Sequence, residues 1–466
     1  MPYSPSGAAG NPETMAPTRN LLVFHLESVA WQTVNAFPEA FPNLSALMTE
    51  ALCFTNHFSA ATSTQMVLGA LAHANHDEFD AAPWLDRPAG NNPSLFHGLA
   101  AQGYRTQFFC LMPFPDGPMF PLLSGSLPPF FNTNHFGELL EGLTELMATP
   151  GFAAYVWNVL PHIETSLTLA SHAEGLDDLA GGACAVTDTL LGAVLDVLKR
   201  SGRLSDTTIV VFGDHGDDYW THGFKGGKLH GLEPYAALVH TPLLIRDPAL
   251  AAGRSHRLAS TIDIGPTVLD LWGQSNPFSY PGSGRSLLSG EAQSVVFSQN
   301  FTANQSDSID HDTRKAFAAI DASHLLMASS RGLELFNHRL DPTNHTNLLH
   351  FFELLPDGRL DPVALSNTHP HFSTIRHMWR GGSTTEAFTR LRQALYAHVS
   401  AKSAYVAARR PDHEVMTLDL AVFDRINRHG QDRFFGGMKG APPSSSPEPR
   451  QRRGLRRLFH RKARRG

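Results

Sequence analysis

Asp214 and His215 carry the clearest chemical signal in the sequence. They follow the apolar run Thr207–Phe212 and lie between Gly213 and Gly216. A hard carboxylate beside a neutral imidazole suits Zn²⁺, Mn²⁺ or a similar divalent ion, and adjacent residues at a strand's end can both turn into a cleft. A helix cap next to a surface histidine gives the same dipeptide, but the buried run before it and glycines that let the backbone turn tightly favour the metal reading. Glu27 stands directly after another apolar run, Asn20–Leu26. A lone buried carboxylate costs several kcal/mol unless it is paired or bound to metal; in the plainer reading the strand has ended and Glu27 is in water. The third piece is Ala60-Ala-Thr-Ser-Thr-Gln65, just ahead of a helical pattern. A hydroxyl there sits among unpaired N–H groups at the positive end of the macrodipole, which stabilises an alkoxide and an incoming phosphoryl group alike. An ordinary N-cap uses the same residue types.

Residues so far apart meet only if the chain brings them to one rim, and the hydrophobic pattern describes such a frame. Asn20–Leu26 reads as a buried strand, Pro42 to Leu52 has helical spacing, Cys53 to Phe58 reads as a second strand and Thr64 to Ala74 as a helix. Ser94 to Gln102 predicts a helix stopped at Gly103, followed by a strand from Tyr104 to Cys110, and Phe152 to Leu160 predicts another strand, stopped by Pro161. Gly182 to Ser201 is the clearest helix, with Val186, Leu190, Val194 and Leu198 at four-residue steps and Gly202 as its stop. Strands alternating with helices predict an α/β fold: a doubly wound, largely parallel central sheet flanked by helices. In such sheets the site forms at the carboxyl ends of strands, where Glu27 and Asp214-His215 fall. From about Gly282 onward, short strand-like pieces predict a smaller C-terminal α+β layer. The expected organisation is a disordered N-terminus over 1–18, a catalytic core over 19–280, an accessory region completing the domain over 281–440, and a disordered basic tail over 441–466.

Bulk properties narrow the classes. A chain of 466 residues exceeds one minimal core. Its 25 histidines raise the expectation of a metal, and its three scattered cysteines, without a CxxC, exclude a disulfide framework and a thiolate zinc site. No apolar run approaches the roughly 18 residues that cross a bilayer. The first 18 residues lack a basic stretch followed by an apolar one, so no signal peptide is expected and the cytoplasm is the default. The net charge of −6 hides an asymmetry: Ala441 to Gly466 holds nine Arg and Lys against one Glu, leaving the rest at −14. That body is not a nucleic-acid binder. The tail reads either as a solvated end or as a peripheral attachment to anionic lipid at the inner membrane face, worth about 1 kcal/mol per basic residue. Leu455, Leu458 and Phe459 would add a small apolar face to it if helical.

Several short motifs stand in a telling order. They are Leu26-Glu27-Ser28 after an apolar strand, Gly103-Tyr-Arg-Thr106 after a helix, Ala154 through His162, and Asp188 to Gly192 leading to Gly213-Asp-His-Gly216. Lys228-Leu-His-Gly231, Pro242 to Ile245, Asp263-Ile-Gly-Pro-Thr267, and Leu335-Phe336 with Asp341-Pro342 follow. From Asn20 to about Leu348 the chain resembles the sulfatase-like branch of the alkaline-phosphatase superfamily. The Leu-Glu-Ser motif is similar to the first metal-ligand motif of lipoteichoic acid synthases, and Leu-His-Gly to that of phosphoethanolamine transferases. No cysteine sits in the C-x-P-S-R-like context that sulfatases convert to formylglycine; T-x-T stands before the helix instead.

The resemblance implies one divalent ion, Zn or Mn first and Mg or Ca as alternatives, held by Glu27, Thr64, Asp214 and His215. Thr64 is the implied nucleophile, with Thr62 in contention. His162 and His230 are implied catalytic residues that contact substrate oxygens or protonate the leaving group. His222, Lys225 and Lys228 share the following loop and are candidates for binding the ester's negative charge, against the plainer reading of a Gly-rich surface loop. The expected activity is a metal-dependent hydrolase or transferase acting on a phosphoester through a threonine. The alternatives are a sulfuric ester hydrolase of the sulfatase family and a non-catalytic member that binds an anionic ligand. Those transferases carry transmembrane helices, so their absence here favours a cytoplasmic or inner-leaflet substrate.

Overall fold

The computed structural model describes residues 19–76, 94–111, 130–159, 162, 176–219, 222, 228–231, 233–300, 316–329, 332–355, 360–362, 382–409 and 411. Residues 1–18, Lys225 and the basic tail lie outside that set, as does the side chain of Lys228.

Strand β1 (Asn20–Leu26) is buried at all seven positions. A strand covered on both faces reads as a continuous apolar run, as this one does. It pairs in parallel with β5 (Phe152–Asn158) on one side and β6 (Thr207–Gly213) on the other. With β2 (Leu52–Phe58), β3 (Arg105–Leu111), β4 (Phe130–Thr133), β9 (Leu243–Arg246) and β10 (Gly253–Ser260), they form an eight-stranded sheet in the order β10-β2-β9-β6-β1-β5-β3-β4. Only β9 runs antiparallel to its neighbours. Two short strands, β7 (Asp218–Tyr219) and β8 (Lys228–Leu229), pair separately.

Side chains alternate between faces along a strand. Leu21 and Val23 join an apolar cluster with helices Thr64–His73, Leu95–Ala101 and Ile264–Leu271, while Leu22, Phe24 and Leu26 join another with Pro42–Met48, Phe136–Met147 and Leu176–Arg200. The result is the doubly wound, three-layered arrangement expected. In the long helix Leu190, Val194 and Leu198 are fully buried, but Val186, the first residue of the expected stripe, is 36% exposed. Asp188 on this helix accepts hydrogen bonds from the Asn43 and Leu44 N–H groups, each at 2.8 Å, so it serves the N-terminus of helix Pro42–Met48 from a remote part of the chain.

The C-terminal layer is a four-stranded antiparallel sheet: β11 (Val296–Asn300), β12 (Ala316–Ile320), β13 (Leu325–Ser329) and β14 (Gly332–Phe336). Helix Gly382–Arg409 packs on it through Phe388, Leu391, Leu395 and Val399, at three- and four-residue steps. This layer reaches the main sheet. Gln299 bridges Ala61, its N–H donates to the Ala60 carbonyl at 3.1 Å, and the Asn300 amide donates to the Gly231 carbonyl at 2.6 Å. Among the described residues no helix is long and apolar enough to cross a membrane.

Candidate metal centre

The register of β1 against β6 pairs Leu26 with Gly213, so Glu27 and Asp214 leave the carboxyl ends of adjacent parallel strands side by side. Beyond Glu27 the chain turns at Ser28, whose φ of 58° lies in the left-handed region that a side chain normally avoids. That turn aims the Ser28 N–H at Asp214 Oδ1, 2.9 Å away. The glycines around Asp214-His215 have a different cause from the tight turn expected of them, since neither adopts a positive φ. A Cβ at Gly213 would strike the Val29 carbonyl, and one at Gly216 the Ala237 carbonyl. They are small so that the Asp214-His215 segment can lie against neighbouring backbone.

Thr64 occupies the first turn of helix Thr64–His73, behind Ser63, which makes no side-chain cap bond. The Thr64 hydroxyl lies 3.1 Å from His215 Nε2 and 3.4 Å from Glu27 Oε1. His215 Nε2 is 3.3 Å from Asp214 Oδ2. The four side chains expected to share one ion thus converge, all at most 7% exposed. Thr62, the other threonine considered, offers a different contact: its carbonyl accepts the Gly231 N–H at 2.6 Å. His215 Nδ1 is 2.9 Å from the Gly216 carbonyl, which can only accept, so Nδ1 carries a proton and Nε2 keeps its lone pair for the cluster when the ring is neutral.

Burial raises the Asp214 pKa, but His215, His25 and the Ser28 N–H outweigh it and hold the carboxylate below its ordinary range. Burial lowers the His215 pKa, but Asp214, Glu27 and Asp217 outweigh it and raise it. Both directions report a centre that favours a positive charge, as a proton or as a metal.

Sequence reasoning missed His25. It sits two residues before Glu27 on β1, hence on the same face, and that spacing was the available signal. Its Nε2 is 3.1 Å from Asp214 Oδ2 and 3.6 Å from Glu27 Oε2. His25, Glu27 and Asp214 are the one group of three or more such side chains, among the described residues, whose ligand atoms all lie within 4.8 Å of one another; His215 adjoins it through Asp214 Oδ2 and Thr64 through Glu27 Oε1. The donor set fits a divalent cation, and neither His25 Nε2 nor Asp214 Oδ2, both buried, meets hydrogen-bond geometry with any described group. Trp157, also missed, stands opposite His25 on β5 and donates its indole N–H to Glu27 Oε2 at 2.7 Å.

Two more expected residues border the cluster. His162, 38% exposed, has Nδ1 3.9 Å from Glu27 Oε1, and its ring centroid is 4.7 Å from that of His230. The His230 ring stacks on His215 at 4.4 Å, and its Nδ1 lies 2.9 Å from Asp217 Oδ1. The defined contacts of His222 run elsewhere: to Asp218 Oδ2 at 2.9 Å, to the Asn344 carbonyl at 3.4 Å, and by stacking on Tyr235. The three cysteines are buried on β2, on β3 and in helix Leu176–Arg200.

Residues 19–114 and 170–274 match the family model described as Sulfatase. Arylsulfatase K of Bos taurus is 33% identical over 119 residues, which cover 25% of this chain and 21% of that protein. The chain therefore spans about a fifth of the length of that relative. An alkaline phosphatase superfamily protein from Vibrio parahaemolyticus superposes with a TM-score of 0.53 at 18% identity, over 82% of this chain and 90% of that one. The phosphonate monoester hydrolase of Agrobacterium radiobacter gives 0.54 at 16%, over 75% and 100%. At these identities the structural likeness is one of fold, and it joins a sequence match that covers β1, β2, the Thr64 helix and the Asp214-His215 segment. The chain thus carries a region that matches the Sulfatase family model, set in the fold shared by these alkaline-phosphatase-superfamily and phosphonate-hydrolase structures.

Proposed function

We propose that this chain is a metal-dependent enzyme that cleaves or transfers an anionic phosphoester through Thr64. One observation carries the reading: the Thr64 hydroxyl, at the N-terminus of a ten-residue helix, converges with Glu27, Asp214 and His215 in a buried cluster. Those four would hold the ion, and a divalent ion there lowers the pKa of a bound hydroxyl and offsets charge on the ester. Thr64 Oγ1 would give up its proton to solvent and form the new P–O bond as the bond to the leaving oxygen breaks, giving a phosphothreonine. The positive end of that helix would lie toward the transferred group. The Ser63 hydroxyl is buried and has no hydrogen-bond partner among the described residues, so it is an available donor there. His230, with its Nδ1 against Asp217, and the more exposed His162 are placed to contact the ester oxygens or to deliver a proton to the leaving group. Water or an acceptor hydroxyl then takes the phosphoryl group and restores Thr64. His222 is not given a substrate role, because its ring nitrogens lie against Asp218 Oδ2 and the Asn344 carbonyl.

Thr64→Ala should abolish ester turnover while metal content stays near that of wild type, and phosphothreonine should be recoverable by mass spectrometry from the wild type alone. Wild-type turnover by Thr64→Ala would sink the assignment. A sulfuric ester hydrolase is the second reading, favoured by the Sulfatase match and by the arylsulfatase relative. It needs sulfate release from an aryl sulfate together with a modified residue, and since Thr64 stands where the converted residue would be, neither is expected.

A further inference from the structure

We propose that His25 is a fifth ligand of the metal centre, so that two imidazoles rather than one hold the ion. The proposal rests on the metal centre described under the proposed function.

Spacing is the first argument. Atoms that bind one Zn-sized ion at about 2.0–2.2 Å lie roughly 3.0–3.5 Å from one another. Three of the six separations among the four expected ligands, Thr64–His215, His215–Asp214 and Thr64–Glu27, are 3.1, 3.3 and 3.4 Å. His25 Nε2 continues that pattern, at 3.1 Å from Asp214 Oδ2 and 3.6 Å from Glu27 Oε2.

Hydrogen bonding is the second. The competing role for His25 is an outer donor whose Nε2–H steadies Asp214. A ring N–H points along one direction in the ring plane, and Asp214 Oδ2 does not lie along it: the two atoms, fully buried and 3.1 Å apart, form no hydrogen bond. Two buried polar atoms left facing each other in this way are costly unless something sits between them. A shared cation satisfies both.

The rest of the ring is arranged as a ligand's would be. Nδ1 lies 3.0 Å from the Tyr155 hydroxyl. A phenol oxygen can accept Nδ1–H, which leaves the Nε2 lone pair facing the carboxylates. His215 is oriented the same way by the Gly216 carbonyl. Trp157 and Phe212 stack on the two sides of the His25 ring at 5.4 and 5.2 Å, fixing its plane before any ion arrives. A second imidazole also shifts preference toward Zn²⁺, Co²⁺ or Ni²⁺ and away from Mg²⁺ and Ca²⁺, which favour oxygen.

The test uses the full chain loaded with Co²⁺. Each coordinated histidine gives one strongly shifted, exchangeable ring N–H signal in the proton spectrum. Wild type should show two, from the Nδ1–H groups of His25 and His215, and His25→Gln should show one. The variant should also bind Co²⁺ at least about 100-fold more weakly, beyond the usual loss for an outer-shell partner. A single exchangeable signal in wild type overturns the proposal and leaves the four-ligand centre intact. Protein that takes up no Co²⁺ overturns the centre itself. Should His25→Gln fail to fold, the wild-type count decides alone.

Discussion

Trp157→Phe tests whether the centre is held from behind. The indole N–H donates to Glu27 Oε2 at 2.7 Å, and the residue is 1% exposed. Phenylalanine keeps an aromatic ring between His25 and Phe108, so most of the stacking survives. What disappears is one hydrogen bond to a buried charge, worth about 1.5–3 kcal/mol, together with a small packing defect. The folded state without metal should lose about 2–4 kcal/mol in urea unfolding. Metal affinity should fall roughly 10- to 100-fold, the range for losing a partner that orients a ligand, as measured by competition with a chelator of known affinity. The two readouts separate packing from positioning. If stability falls while metal affinity stays within about twofold of wild type, Glu27 does not depend on the indole and the reasoning fails.

Asp188→Ala should cost about 3–5 kcal/mol, because it strips a buried acceptor from the Asn43 and Leu44 N–H groups; a loss below about 1 kcal/mol in urea unfolding would refute the capping role. Asn300→Ala removes the tie to Gly231, whose own N–H holds Thr62, and should lower kcat by up to about tenfold with metal content unchanged. Unaltered kcat and KM would show that the tie is idle. Asp263 is pushed up to about 6, chiefly by burial, while the Arg285 and Ser260 N–H groups and the Gln293 amide oppose the rise. With the folded value above the unfolded one of about 3.9, stability is fullest below that value and falls as pH rises toward 6, by on the order of 3 kcal/mol. Asp263→Asn should flatten this stretch of the stability–pH curve, and a curve parallel to wild type would contradict it.

Much of the frame is legible in the sequence because the chemistry that builds it is local. Continuous apolar runs give β1, β5 and β6, and the polar residues at their ends mark the rim. Those ends mark Glu27 and Asp214-His215 as candidates, and the family resemblance is what joins Thr64 to them. Contributions that depend on neighbours across the sheet are hidden. His25 reads as part of an apolar run, and only its parity with Glu27 betrays it. Trp157 reads as core until β5 is set against β1. Gly213 and Gly216 suggest a tight turn, but their cause is the carbonyl groups of Val29 and Ala237, which no local pattern reveals. Val186 fits the four-residue stripe, yet the edge of the layer stops short of it.

The ties from Gln299 to Ala60 and from Asn300 to Gly231 set a timetable for the newborn chain. At about 5–20 residues per second, the ribosome delivers Gln299 on the order of tens of seconds after Ala60. Late in that interval, once Gly213 has been made, β1, β5 and β6 can already lie together while the segment bearing Thr64 lacks one of its walls. The wall beside Thr64 therefore closes late, after these strands of the main sheet have been made.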